Sequence, residues 1–398
     1  MSKHARPRGL PVDGVERPTA DGWTFPARNP ATAEPLWDVP DAGLTDARDA
    51  VTAARRAFDA TQWSTDADLR ADAVRRLAAA VAEHADELVA LMAAETGVPV
   101  ALRSAHLDDA LAAMASGMAS GMASGTESEP QRGPAGVTAV VTPATSPLSV
   151  ALTEIGRVLV EGGTVVLKPA PEAATAAIEL GRIALDVLPR GVLNVVTTRD
   201  VDVAIALTLD ERVDAVSLTG SPFVAERAQV AGELAGKRVR VAVGGPRTVR
   251  VADDADLGAV VSAAAYDVAA NAGQGCGLPT SVIVPVHRHA EALQSAVAAM
   301  ADVAVGDPTD PTTRCGPLRS VVARDRVRRY VDLGRAEGGD VALGGQPLDR
   351  PGWWFAPTVV GGLAPGSRLV REEVLGPVFM VAVDAPDRAG SPAPSARA

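Results

Sequence analysis

The stretch EGGTVVLKPA, residues 161–170, is a short valine-rich run that is bounded by glycine and proline. A run of this length and composition between turn residues predicts a β-strand. A similar run, GVTAVVTPA at 136–144, precedes it, and the helical stretch AAIELGRIALDVLP at 176–189 follows it. Strands that alternate with helices predict a parallel, doubly wound sheet. Such sheets bind ligands at the carboxyl ends of their strands.

The same alternation continues along the chain. Three further strands are predicted in GVLNVVT (191–197), DAVSLTGS (214–221) and VRVAVGG (239–245). A second α/β region follows, with a strand in SVIVPV (281–286) and a helix in EALQSAVAAM (291–300). The fold class predicted from these elements is α/β.

The part of the chain before residue 136 is less regular. Residues 1–40 are rich in Pro, Gly and Asp and predict an irregular arm, whereas 45–96 has a helical pattern. Within it, residues 69–97 predict one long helix that contains a solvated His84 and ends at Gly97. Residues 112–135 contain an SGMA repeat and are interpreted as a bridging segment, an oligomerisation segment or a linker. The apolar face of the long helix comprises Val74, Leu77, Val81, Leu88 and Leu91.

Composition excludes several classes of function. Lys and Arg total 38 and Asp and Glu total 49, a net charge of −11, which argues against nucleic acid or an anionic membrane as partner. No apolar run is long enough to span a bilayer, and the N-terminus lacks the apolar core of a signal peptide. Two cysteines in 398 residues make neither a disulfide framework nor a metal motif, so we expect a cytoplasmic protein.

One of the two cysteines, Cys276, lies in the glycine-rich stretch NAGQGCGLPT at 271–280. A structural cysteine is usually buried among apolar side chains, but the flanking Gly275 and Gly277 cover nothing. A loop of this kind can expose a thiol and admit a ligand. His287 and His289 form an H-x-H pair, yet no third ligand is evident, so no metal site is expected.

Taken in order, these blocks resemble the aldehyde dehydrogenase superfamily from about Thr19 to Val383. The stretches similar to its signatures are EGGTVVLKPA (161–170), GVLNVV (191–196), SLTGS (217–221), NAGQGC (271–276), GDP (306–308), GPL (316–318) and EEVLGP (372–377). Each is weak alone, whereas the ordered set is specific. The resemblance implies a Rossmann-like cofactor domain over 1–245 and an α/β catalytic domain over 246–384. The Pro-, Ala- and Ser-rich composition of 385–398 predicts a disordered tail.

The resemblance also implies a chemistry. Cys276 attacks an aldehyde to give a thiohemiacetal, a hydride leaves to NAD or NADP, and the resulting thioester is resolved by an acyl acceptor. Lys168 would bind the adenosine ribose, Gly220 and Ser221 the pyrophosphate, and Glu373 the nicotinamide ribose. The remaining cofactor-binding positions are Thr219, behind the nicotinamide, and Gly244. Taken without the family, Lys168 is a solvated lysine at a strand end and Glu373 is one acid of an exposed pair.

Three departures from the family pattern stand out. The family places a glutamate, the base that activates the deacylating water, where this sequence has Ala242. It places an asparagine, an oxyanion donor, where this sequence has Thr145 in PATSP (143–147). Family members also continue beyond EEVLGP, so we expect the catalytic domain to be incomplete at its C-terminal end. The family's C-terminal assembly strand would then be absent, which leaves a homo-oligomer open.

Three functions remain after these departures. The first is NAD(P)-dependent oxidation of an aldehyde to a carboxylic acid, impaired at deacylation. The second is a CoA-acylating relative, in which a thiol resolves the thioester and no water-activating glutamate is needed. The third is a catalytically inactive pseudoenzyme that serves as a binding or assembly subunit. Ala242 and Thr145 favour the third function, whereas Cys276, Lys168 and Glu373 favour the first two.

Overall fold

The computed structural model describes residues 9–116, 136–275 and 277–384, without the side chains of Pro222 and Phe223. The predicted tail 385–398 and most of the segment 112–135 therefore lie outside the described residues. The described chain forms two five-stranded sheets with helices around them, and two small hairpins at its start. This arrangement confirms the predicted α/β fold class.

Residues 9–40 form hairpins, so the prediction of an irregular arm is wrong. Strands β1 (Leu10–Val12) and β2 (Val15–Arg17) are antiparallel, as are β3 (Thr24–Arg28) and β4 (Pro35–Pro40). Asp13 and Gly14 connect the first pair with φ of 56° and 74°, as an Asp-Gly hairpin turn requires. The backbone N–H of Asp13 donates to the side chain of Asn194, which fixes this turn on the neighbouring sheet.

The region 45–96, for which a helical pattern was predicted, contains three α-helices. They are followed by a π-helical turn at 104–108 and a short fourth helix that reaches into the predicted bridging segment. The predicted long helix is broken at His84, whose φ of −101° and ψ of 11° are not helical. The predicted apolar face is confirmed, since all five of its side chains are buried. The helices are α1 (Leu44–Ala60), α2 (Ala67–Glu83), α3 (Ala85–Thr96) and α4 (Asp109–Ala115).

The first large sheet is entirely parallel, with the strand order β7-β6-β5-β8-β9. Its strands are β5 (Val137–Thr142), β6 (Thr164–Pro169), β7 (Leu193–Val195), β8 (Ala215–Gly220) and β9 (Arg238–Val243). Helices α5 (Pro147–Val160), α6 (Ala174–Leu185), α7 (Val201–Leu209) and α8 (Pro222–Leu234) connect or follow these strands. The apolar cluster on one face includes α5 and α6, and the cluster on the other face includes α1 and α7. The sheet is therefore doubly wound, as predicted.

The second large sheet has the order β10-β11-β14-β13-β12. Its strands are β10 (Thr248–Arg250), β11 (Ser281–Val284), β12 (Asp340–Leu343), β13 (Thr358–Leu363) and β14 (Val378–Val383). Only β12 among them runs antiparallel to its neighbour. The helices of this half are α9 (Leu257–Ala269), α10 (His289–Ala301), α11 (Val321–Ala336) and α12 (Arg368–Arg371). Its apolar cluster is separate from those of the first sheet.

Backbone hydrogen bonds join the two halves at several points. Val100 N–H donates to Pro308 O at 2.8 Å, and Trp353 N–H donates to Pro30 O at 2.8 Å. The Arg314 guanidinium also donates to Ala101 O at 2.9 Å. None of the helices within the described ranges has both the length and the apolar composition needed to cross a membrane.

Candidate functional site

The strand order of the first sheet defines where a ligand can enter. The chain passes from the central β5 outward to β7 and then returns to β8 on the other side of β5. The topological switch point, where ligands bind in open α/β sheets, therefore lies between the loops that follow β5 and β8. Thr145 lies in the first of these loops, and Ser221 follows Gly220 at the start of the second.

The end of β8 leads directly into a helix N-terminus. Thr219 is buried and pairs with Ala242 of β9, and Gly220 is the last residue of β8. The hydroxyl oxygen of Ser221 accepts from Val224 N–H at 3.5 Å and caps α8. A helix start at the carboxyl edge of a sheet presents free N–H groups that favour a phosphate.

Lys168 lies near the carboxyl end of β6 and is half-buried. Burial disfavours the charged ammonium and lowers the pKa of Lys168, while Glu172 opposes this effect. The interpretation of Lys168 as a solvated lysine is therefore wrong. A partly desolvated ammonium at this edge gains when hydroxyl or phosphate oxygens replace its lost water.

Glu373 meets the end of the first sheet at Gly244. A Cβ atom added to Gly244 would lie 2.5 Å from Glu373 Oε1, so the missing side chain leaves room for this carboxylate. Glu373 Oε1 is buried and has no hydrogen-bond partner among the described residues. Burial raises the pKa of Glu373, and Arg326 and Arg319 oppose the shift. The unpartnered oxygen is free to accept a hydrogen bond from a ligand hydroxyl.

The two acids of the EEVLGP stretch have different surroundings. Glu372 accepts from the Tyr330 hydroxyl at 2.8 Å and from the Arg368 guanidinium at 2.7 Å. These two donors hold the pKa of Glu372 below its usual range. Glu373 has no such partners for Oε1, so only the second acid of the pair remains available to a ligand.

The chain makes a left-handed turn before residue 276. Asn271, Ala272 and Gly273 have φ of 49°, 52° and 66°. This conformation costs a residue with a side chain roughly 1–2 kcal/mol, so other contacts must hold the turn. At Gly273 a side chain is excluded, because an added Cβ would lie 2.0 Å from Gly376 O.

Asn271 connects this turn to the switch point. Its backbone N–H donates to Arg314 O at 2.9 Å. Its side-chain Nδ2 donates to Gln274 O at 2.8 Å and reaches Thr145 O, in the loop after β5, at 3.4 Å. The side chain of Thr145 is buried at this junction. The structure thereby brings the loop of residues 271–275 against the carboxyl edge of the first sheet.

Gln274 fastens the same turn to the segment 317–319. Its carboxamide Nε2 donates to Asn271 O at 3.3 Å and to Pro317 O at 3.2 Å. Its Oε1 accepts from Arg319 N–H at 2.9 Å. Sequence reasoning assigned no role to Asn271 or Gln274. The sequence feature that could have indicated a role is the presence of two amide side chains, Asn271 and Gln274, within one short glycine-rich loop.

Cys276, the predicted nucleophile, lies outside the described residues. Its neighbours Gly275 and Gly277 are described, and the carbonyl of Gly277 lies 3.4 Å from Nη1 of Arg247. The other thiol, Cys315, is fully buried, and burial raises its pKa to about 12. Such a thiol remains protonated and unreactive at neutral pH.

Ala242 lies on β9 beside Thr219 and is 8% exposed. Two register positions toward the amino ends of these strands, Ser217 and Arg240 face the buried carboxylate of Glu154 on α5. Glu154 Oε2 accepts from the Ser217 hydroxyl at 2.8 Å and from Arg157 at 3.0 and 3.1 Å. This carboxylate, which sequence reasoning missed, is already bound by its neighbours.

The described ranges contain no group of three or more His, Cys, Asp or Glu side chains arranged to hold a metal ion. His287 Nε2 lies 2.9 Å from an oxygen of Asp253, and both side chains are exposed. His289 Nε2 accepts from Gly362 N–H at 3.1 Å. The two histidines therefore contact different parts of the second half.

Comparison with known proteins gives a consistent result. The family model described as the aldehyde dehydrogenase family matches residues 18–386. Hydroxyisobutyraldehyde dehydrogenase of Mycolicibacterium austroafricanum is 32% identical over 394 residues, which are 96% of this chain and 78% of that protein. Aminoacetaldehyde dehydrogenase of Pseudomonas aeruginosa is also 32% identical, over 93% of this chain and 77% of that protein.

Solved structures agree with the sequence comparisons. The NAD+ complex of an aldehyde dehydrogenase from Bacillus cereus superposes with a TM-score of 0.87 at 27% identity. The match covers 95% of this chain and 80% of that one.

Proposed function

The chain belongs to the aldehyde dehydrogenase family, and on this premise we propose that it oxidises a small-molecule aldehyde with NAD or NADP as the hydride acceptor. The observation that carries the proposal is the contact between the turn 271–274 and Thr145 O. This contact brings the chain that leads into Cys276 to the switch point, where an α/β sheet binds its ligand. We assign cofactor binding to residues 1–245 and catalysis to residues 246–384.

The residues at the carboxyl edge suit a dinucleotide. In the proposal, Lys168 holds the adenosine ribose, Gly220 and Ser221 approach the pyrophosphate, and Thr219 lies behind the nicotinamide. Glu373 accepts from a nicotinamide ribose hydroxyl, which would satisfy its orphaned Oε1. Gly244 leaves the space that Glu373 requires. When bound, the cofactor supplies the acceptor for one hydride.

The proposed chemistry begins at Cys276. Its thiolate forms a bond to the aldehyde carbon, and the carbonyl oxygen becomes the oxyanion of a thiohemiacetal. Loss of hydride from that carbon restores the C=O bond and leaves a thioester on Cys276. Water then adds to the thioester, a proton is removed, and the carboxylic acid leaves as the thiolate re-forms.

Two positions limit this sequence of steps. Thr145 stands where the family carries an oxyanion-donating asparagine, and losing one such donor costs about 10²–10³ in rate. Ala242 offers only a methyl group where a base would remove the proton from water, and losing a general base costs about 10²–10⁴. The two losses in rate need not multiply, because the effects of residues that act together in catalysis are not additive in free energy. We propose that deacylation is the slow step.

Ala242 also supports two alternatives. A CoA-acylating enzyme needs no carboxylate at this position, because a thiolate attacks the thioester with less help from a base than water needs. A catalytically inactive pseudoenzyme would retain the cofactor-binding edge alone. The hydrolytic enzyme, the CoA-acylating enzyme and the pseudoenzyme would give different time courses of NADH formation.

The test is to mix the purified protein with NAD or NADP and a panel of aldehydes and to follow NADH or NADPH. The proposal expects about one equivalent per site in a burst, then slow turnover, because a general base contributes about 10²–10⁴ to the deacylation step. Acceleration by CoA identifies the acylating alternative. Absence of a burst, with the cofactor bound in a fluorescence titration, identifies the pseudoenzyme.

Replacing Ala242 separates deacylation from the earlier steps. Ala242→Glu should raise the steady-state rate at least ~10-fold without enlarging the burst, because it supplies a carboxylate at the position of the base. Val243→Glu is the matched control, since the adjacent residue points to the opposite face of β9. Equal effects of the two variants, or fast turnover in the unmodified protein, would contradict the assignment of deacylation as the slow step.

A further inference from the structure

Gln274 is buried at 2% exposure, and both polar atoms of its carboxamide have backbone partners. Nε2 joins Asn271 O to Pro317 O, and Oε1 receives Arg319 N–H. The side chain therefore ties the beginning of the turn to a segment that is more than forty residues further along the chain.

The turn that Gln274 holds is one that the chain does not adopt by preference. Its three positive φ values include those of Asn271 and Ala272, which carry side chains. Such a conformation persists only where the surroundings over-determine it. The chain then passes through Gly275, which has no side chain to anchor it, into position 276. Gln274 is thus the last anchored side chain before Cys276.

We propose that Gln274 is a positioning residue that fixes the direction from which the chain enters position 276. The proposal rests on the proposed function, in which Cys276 is the nucleophile. The three hydrogen bonds of its carboxamide all go to backbone atoms, so Gln274 would act through the position of the chain. Nucleophilic attack depends on geometry, and a displacement of about 1 Å can cost about 10²-fold in rate.

Two substitutions at Gln274 test the role of its hydrogen bonds. Gln274→Met keeps the length of the side chain and removes all three bonds. Gln274→Glu keeps the acceptor for Arg319 N–H but turns an oxygen toward the carbonyls of Asn271 and Pro317. Protonation of that glutamate restores one donor, so its kcat relative to the unmodified protein should rise as the pH falls. The relative kcat of Gln274→Met should not depend on pH.

Asn194 provides the matched controls, because it is a fully buried amide with the same pattern of bonds in the first sheet. Its Nδ2 donates to Gly191 O at 2.8 Å and Val165 O at 3.3 Å, and its Oδ1 accepts from Asp13 N–H at 2.9 Å. Asn194→Leu and Asn194→Asp therefore impose comparable losses of buried hydrogen bonds away from the turn.

The readouts are kcat, the aldehyde KM, the cofactor Kd and the rate of alkylation at Cys276 measured by peptide mapping. Gln274→Met should lower kcat at least ~10-fold while KM and Kd change less than about 3-fold, since only the reacting geometry is lost. Its Cys276 alkylation rate should differ at least ~5-fold from the unmodified protein, whereas both Asn194 variants should remain within about 2-fold.

Equal kcat and alkylation rates in the Gln274 and Asn194 variants would overturn the proposal and leave Gln274 a structural residue. Should Gln274→Met fail to fold, Gln274→Glu and its pH profile decide the question. If the unmodified protein produces no reduced cofactor with any aldehyde, the proposed function fails separately. In that case the alkylation rates alone decide whether Gln274 positions Cys276.

Discussion

The surroundings of Glu95 and Glu373 differ in one informative way. Burial raises the pKa of both carboxyl groups, that of Glu95 to about 7. At Glu95 both oxygens accept from Thr175 N–H at 3.0 Å, and one also accepts from the Thr175 hydroxyl at 2.6 Å. Trp37 in turn donates to that hydroxyl. At Glu373, Oε1 has no partner within the described chain.

This difference separates a structural carboxylate from one that is available to a ligand. Glu95 caps the start of α6, and its hydrogen-bonding capacity is used by the fold. Glu373 faces Gly244 across the junction of the two halves with capacity to spare. A raised pKa alone does not identify a functional acid. A buried carboxylate oxygen that has no hydrogen-bond donor, and that lies against a glycine, is a more selective sign.

The largest effect that tests this comparison is on stability. Glu95→Ala should lower the free energy of unfolding by about 3 kcal/mol, because it leaves the buried N–H and hydroxyl of Thr175 without a hydrogen-bond acceptor. Glu373→Ala should change it by no more than about 0.5 kcal/mol, since Oε1 loses no partner. Urea unfolding at pH 7 measures both values. A larger loss for Glu373→Ala than for Glu95→Ala would reverse the assignment.

The second effect is the pH dependence of stability. Burial raises the pKa of Glu95 from its ordinary 4.5 to about 7 in the folded protein, which therefore retains a proton that the unfolded chain releases between these values. Its stabilising contribution is therefore complete below pH 4.5 and lost as the pH rises through 7. The neutral variant Glu95→Gln lacks this dependence.

The free energy of unfolding of Glu95→Gln, relative to the unmodified protein, should thus increase by about 2 kcal/mol between pH 5 and pH 8. Urea unfolding at four pH values across that range measures the difference. A difference that stays constant with pH would show that Glu95 does not titrate in this interval.

The smallest effect concerns the space at Gly244. Gly244→Ala should weaken NAD(P)H binding by about 10-fold, or roughly 1.4 kcal/mol, because the new methyl group displaces the Glu373 carboxylate. Gly245→Ala is the matched control, since a Cβ there meets nothing within 4 Å. Nicotinamide fluorescence titration compares the two. Equal affinities for both variants would remove Glu373 from the cofactor-binding set.

The sequence indicated the parts of the fold that depend on local pattern. The valine runs of β5 and β6, the turn residues around them and the helical stretches that alternate with the strands were sufficient to predict a parallel sheet. The break at His84 was missed because the apolar periodicity continues through it on both sides. The first hairpin was missed although Asp13-Gly14 is a turn signal, because the composition of residues 1–40 as a whole was given more weight.

The candidate site divides in the same way. Lys168, Thr219, Gly220 and Ser221 lie at or next to the carboxyl ends of strands, and parallel topology puts these ends at one edge of the sheet. The contact of Asn271 with Thr145 could not be predicted in this way, because Thr145 is 126 residues away in sequence and belongs to the other half. A contact between a loop and a distant backbone carbonyl produces no periodic pattern in the sequence. The lack of a hydrogen-bond partner for Glu373 Oε1 also depends on residues that are distant in sequence, so it could not be predicted.

The left-handed turn before residue 276 has a consequence for the order of folding. It is held by carbonyls that precede it by 126 residues, at Thr145, and follow it by 43, at Pro317. No local segment can form it, since contacts so distant in sequence must first overcome the entropy of closing long loops. We therefore expect the turn to form late in folding, once the loop after β5 and the segment 317–319 have both reached it.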